Sequence, residues 1–159
     1  VVKQHDHPEM RADAFELGVN LTVAACDAET GRVLQVEEVH NLVTLQGRNL
    51  VRDLLNEAND NGLTHLAVGT DGTAAAASDT NLRAEVTRDT FTKRISSDGV
   101  LTLQYFLPSS AANGSTLQEA GLFNAATGGV CFARATHGGI AKSSAITVTY
   151  TWQITISAV

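Results

Sequence analysis

The chain has 159 residues, a hydrophobic share of 43%, a charged share of 18% and a net charge of −6. A chain of this length buries roughly 70% of its unfolded surface, so it builds a core without needing a disulfide or a metal. The acidic balance and the lack of a basic block argue against nucleic acid and anionic membranes as partners, since both rely on clustered Lys and Arg. No apolar run approaches the ~20 residues of a membrane helix.

Residues 1–14 read as an extended N-terminal arm: His5, Asp6, His7, Pro8, Glu9 and Met10 are mostly polar or charged. Residues 1–8 do not have the pattern of a signal peptide. His5 and His7 would share one side of a strand, half of a zinc site, but no third and fourth ligands follow. The arm is expected to order against a neighbouring subunit, and His5, Asp6, His7, Pro8 and Met10 are its candidate assembly residues.

Residues 15–159 read as one β-rich domain. Leu17, Val19, Leu21 and Val23 alternate with Gly18, Asn20 and Thr22, the period of a half-buried strand. A turn at Asp27-Ala28-Glu29-Thr30-Gly31 leads into a return strand through Val33, Leu34, Val36 and Val39 that ends near Leu42. The period then changes to three and four at Leu50, Val51, Leu54, Leu55 and Ala58, which predicts an amphipathic helix. Thr44 is its candidate N-cap, Gly47 weakens its first turn, and Gly62 is the expected left-handed stop.

Strands are expected at 65–69, 85–96 and 100–107, the last two joined by the hairpin signal Asp98-Gly99. Ser78-Asp79 would cap a single helical turn ending near Ala84. Pro108 stops the third of these strands because it has no N–H to donate. Two more strands, about 117–124 and 130–136, are joined at Thr127-Gly128-Gly129. The last run, 145–157, alternates Ile146, Val148, Tyr150, Trp152, Ile154 and Ile156 with four threonines and Gln153. It predicts a strand covered on one face, with Trp152 as a core anchor. The sum is mainly β: a sandwich or barrel of about eight strands, with one amphipathic helix.

Catalytic signals are weak. No serine sits in a nucleophile elbow, Gly69-Thr70-Asp71-Gly72 lacks the Lys-Ser/Thr of a phosphate loop, and Glu37 and Glu38 point to opposite faces of a strand. Cys26 and Cys131 read as buried, reduced thiols. His40 and His65 read as edge or satisfied core residues, and His137, before two glycines, as a loop residue. Arg83, Arg88, Lys93 and Arg94 read as a solvated strand face. Glu119 and Arg134 stand out because each interrupts an apolar strand. A lone buried charge is costly, so a cross-strand ion pair between them is expected, with Glu85 and Arg88 as alternative partners.

Several segments, in their order and spacing, resemble a group of small proteins encoded in the structural gene regions of tailed bacteriophages. They are His40-Asn41-Leu42-Val43 leading into Gly47-Arg48, Leu66-Ala67-Val68-Gly69-Thr70, Ser78-Asp79-Thr80 with Leu82 and Arg88, Glu119-Ala120-Gly121-Leu122-Phe123, and Phe132-Ala133-Arg134-Ala135 with Lys142 and the Thr149-Tyr150-Thr151-Trp152 strand. The resemblance implies a virion component with no enzymatic activity, no cofactor and no metal. It would be a capsid-decoration or tail-associated subunit, found in the virion and, during assembly, in the host cytoplasm. Its expected partners are other virion proteins and further copies of itself in a symmetric homo-oligomer. A carbohydrate- or receptor-binding β-sandwich module of a phage tail is the alternative. A hydrolase would instead need a deep pocket holding unpaired carboxylates or histidines.

Overall fold

A computed structural model describes residues 15–58 and 61–158. The assembly-arm residues His5, Asp6, His7, Pro8 and Met10 lie outside the described residues. The described chain is mainly β. In order it forms β1 (Phe15–Asp27), β2 (Val33–His40), β3 (Leu42–Val43), α1 (Leu45–Leu55), β4 (His65–Gly69) and β5 (Glu85–Thr90). It continues with β6 (Lys93–Ser97), β7 (Val100–Leu107), β8 (Thr116–Phe123), β9 (Cys131–Ala141) and β10 (Ile146–Ala158). Two five-stranded antiparallel sheets result, ordered β2-β1-β10-β7-β6 and β3-β9-β8-β4-β5. Their facing apolar rows make one continuous core, including Leu21, Val23, Leu103, Leu107, Tyr150 and Trp152 from the first sheet and Leu66, Val68, Leu117, Leu122 and Ala133 from the second.

The last strand is central: β10 pairs with β1 along its whole length and with β7 on its other side. Its alternation follows from this position, since one face meets the opposing sheet and the threonine face meets solvent. Ile156 is the exception. β7 reaches only as far as Thr155, so the strand outruns its neighbour and Ile156 is exposed.

Several expectations need correction. Residues 85–96 are two strands in different sheets, because the chain leaves one sheet at Phe91-Thr92 and enters the other. Thr92 fixes the crossing: its N–H and hydroxyl donate to the Gln104 carbonyl at 2.8 and 3.1 Å, and its Oγ1 accepts from Phe106 N–H at 3.2 Å. The return strand of the first hairpin ends at His40, and Leu42–Val43 pair in the other sheet with Ala133 and Arg134. No helical turn forms at 78–84. Gly62 is not the left-handed residue after α1; Glu57 takes that conformation, at φ 53°. Gly31 and the Asp98-Gly99 pair do take the positive φ their turns require.

The helix is fixed by its first turn. Thr44 Oγ1 accepts from Gly47 N–H at 2.9 Å and donates to the Cys131 carbonyl at 2.6 Å, so one buried side chain caps α1 and ties it to β9. Gly47 is where the helix touches the sheet backbone: a Cβ there would sit 2.1 Å from the Phe132 carbonyl oxygen. The residue that weakens the helix is thus the one that lets it dock. Gly47→Ala gains about 1 kcal/mol of helix propensity but forces the helix off β9. A net loss of about 1–3 kcal/mol is expected in chemical denaturation; an unchanged midpoint would show that α1 docks elsewhere.

Candidate functional site: a closed ion cluster and an open apolar cleft

Glu119 and Arg134 face the same side of the neighbouring strands β8 and β9, and both are fully buried. Arg134 Nε donates to Glu119 Oε2 at 2.8 Å. The pair is the centre of a larger cluster. Arg134 Nη1 donates to Asp79 Oδ2 at 3.1 Å and to the Thr73 carbonyl at 3.0 Å, and Nη2 lies 3.5 Å from Asp71 Oδ1. Glu119 accepts from the backbone N–H groups of Ala84, Arg83 and Asp71 at 2.7, 3.1 and 3.4 Å. Asp79 accepts from Ala76 N–H at 2.8 Å and pairs with Arg83 at 3.4 Å. The cluster therefore pins the irregular segment between β4 and β5 onto the face of the sheet. Gly69 makes room for it, because a Cβ there would lie 2.5 Å from Glu119 Oε1.

The arrangement restrains proton chemistry. Both Glu119 oxygens are saturated by donors and neither meets solvent, so an incoming substrate proton has no route to them. Burial pushes the Asp79 carboxyl up, but the Ala76 N–H and the Arg134 charge outweigh it and hold it below its ordinary 3.8. A depressed carboxyl stabilises the fold above its unfolded pKa, and that stabilisation is lost as pH falls through the folded value. The cluster should hold at pH 5 and release segment 70–84 only below about pH 3.8.

Glu85 and Arg88, the alternative partners, instead pair with each other through two contacts at 3.0 and 2.7 Å. Arg88 is not part of a solvated face. Its guanidinium lies 3.6 Å from the centroid of the Phe123 ring and donates to the Ala125 and Gly128 carbonyls. Cys26 is half-buried and Cys131 buried; both are free thiols, and burial pushes the Cys131 thiol up to about 12.

His137 also needs correction: it is a buried residue of β9, not a loop residue. Its Nδ1 lies 2.8 Å from the Gly138 carbonyl, which only accepts, so Nδ1 carries the proton and Nε2 faces the Tyr150 hydroxyl at 3.5 Å. Burial lowers its pKa from the ordinary 6.5. As pH falls through 6.5 the unfolded chain takes the proton first, so stability drops until the folded value is passed. A lower melting temperature at pH 5.5 than at pH 7.5 is expected, with the difference reduced in His137→Phe.

Trp152 is fully buried, and its indole N–H is satisfied by a residue the sequence left unassigned. Asn41, at the crossing from the first sheet to the second, has its carboxamide between Trp152 Nε1 and the Val19 carbonyl, and the orientation that suits both partners has its oxygen accept from Nε1 and its nitrogen donate to Val19.

The open feature lies at one end of the sandwich. An apolar cleft of about 450 Å³ is lined by Phe15 and Leu17 of β1, Leu54 and Leu55 of α1, Phe132 of β9 and Ile156 of β10, among others. Phe15 is 62% exposed, Leu55 78% and Ile156 57%. One cation, Arg94, joins the lining and donates to the Leu63 carbonyl. Among the described residues, Phe15 to Val19 pair with β10 alone, because β2 joins only at Asn20. Sequence periodicity did not reveal this cleft; its only trace was apolar residues repeating past the point where neighbouring strands end.

No family model, curated protein or solved structure matches the chain.

Proposed function

We propose that the chain is a non-enzymatic structural component of a tailed-phage virion, a capsid-decoration or tail-associated subunit that works through protein–protein contacts. The observation that carries this reading is the contrast between the two features above. The Glu119–Arg134 pair is buried within its ion cluster, while four exposed large apolar side chains, Phe15, Leu54, Leu55 and Ile156, line a cleft beside a stretch of β1 that pairs on one side alone among the described residues. Exposed apolar surface of this kind marks interaction sites. The order and spacing of the phage-like segments support the same reading, and its partners are other virion proteins and copies of the chain itself.

The second reading, a carbohydrate- or receptor-binding module, draws on the outer face of the first sheet. Phe106 is 44% exposed there, opposite Thr149, and a shallow hollow of about 270 Å³ is lined by Asn20, Thr22, Glu38, His40 and Gln153. The hollow supplies polar groups for sugar hydroxyls, and Thr149, the partner of Phe106, lies four residues along β10 from Gln153.

Adding the purified protein to particles assembled without it, and in parallel to host cell-surface polysaccharide, separates the two. Saturable uptake by the particles with no polysaccharide binding is expected. Polysaccharide binding that Phe106→Ala abolishes, with no uptake by particles, would replace the first reading with the second.

A further inference from the structure

The cleft and the free edge of β1 lie side by side, and a single extended peptide would satisfy both. Its backbone would pair with residues 15–19, and its apolar side chains would enter between β1 and α1. Such a peptide needs alternating apolar residues of modest size. The chain carries one: Met10, Ala12 and Ala14 alternate with Arg11 and Asp13. Arg48 lines an adjoining hollow on α1, and within residues 10–14 Asp13 carries the complementary charge beside Arg11.

Residues 10–14 run straight into Phe15, so they cannot also lie alongside residues 15–19 of the same chain. The paired ends of β1 and β10 extend past both of their neighbours, β2 and β7, so the segment before Phe15 starts from a two-stranded tip. Ala14 is bonded directly to Phe15, so a receiving edge on an adjacent molecule must abut this tip. We infer that the cleft, with the edge of β1 at residues 15–19, receives residues 10–14 of a second copy of this chain, with Met10 in the cleft. The inference rests on the assembly reading above and names one of its contacts. Exchanged arms of this kind link each subunit to the next, and a closed ring results if the rotation between copies closes.

Two full-length variants test it, both carrying Cys26→Ala: one with Met10→Cys, the other with Leu54→Cys. They are mixed, oxidised and run without reductant, and a double variant carrying both cysteines is treated alike. The remaining thiol, Cys131, is buried and protonated. A disulfide joining the two different chains is expected in the mixture, with little product from either variant alone. A disulfide confined within single chains of the double variant would overturn the inference, because the arm would then fold onto its own molecule. Light scattering of the wild-type protein separates the other failures. Oligomers without the interchain disulfide overturn this contact and leave the assembly reading standing. A monomer at every concentration, with no disulfide, overturns the contact and counts against self-assembly altogether.

Discussion

Arg134→Met should destabilise the protein by about 3–5 kcal/mol, because it removes one partner of a buried pair and strands the others. Glu119 would lose its one side-chain cation among the described residues while remaining fully buried, and Asp79 would keep Arg83 but lose Arg134. Segment 70–84 would lose its attachments at Asp71, Thr73 and Asp79, all held by Arg134. Limited proteolysis should therefore cut near Ala74 to Ala77 in the variant before the β-strands melt. Adding Glu119→Gln to Arg134→Met should cost much less than a second full penalty, since the stranded charge is gone. The double-mutant cycle by chemical denaturation measures this coupling, and a coupling energy near zero would show that the two residues act independently.

Trp152→Ala should cost a similar amount, about 3–5 kcal/mol. The indole is the largest fully buried side chain and lies on the central strand of its sheet. Its removal opens a cavity between the sheets and leaves the Asn41 carboxamide oxygen without its donor. Trp152→Phe separates the two effects. It keeps much of the volume but not the hydrogen bond, so the part due to the unsatisfied oxygen should show as about 1–3 kcal/mol. Equal melting curves for wild type and Trp152→Ala would contradict the place given to β10 in the core.

How much of this was legible in the sequence depended on the range of the interaction. Local periodicity gave β1, β7, β10 and α1, because each has a regular apolar repeat and a clear stop. The crossing at Phe91-Thr92 was invisible, since neither residue breaks a strand and the change of sheet is fixed by bonds to Gln104, far along the chain. Glu119 and Arg134 stood out because a charge inside an apolar strand requires a partner. Asp71, Asp79 and Arg83, in a polar loop, carried no such signal, and their part in the cluster appears only once the loop is folded over the sheet. His137 was misread because two glycines after it imitate a turn; in the fold they continue β9, and Gly138 N–H donates to Glu37 Oε2 at 2.7 Å. The cleft was missed because periodicity shows which face of a strand is apolar, not where the covering strand ends.

The proposed virion role is tested most directly by a cryo-EM map of the particle to which the proposal assigns the chain. Symmetric density on the capsid or tail that fits the two five-stranded sheets is expected. In that density, the cleft between β1 and α1 should be filled by a segment of an adjacent chain. A complete particle map with no density for the domain, and no peptides of it in the purified virion, would rule out the virion role.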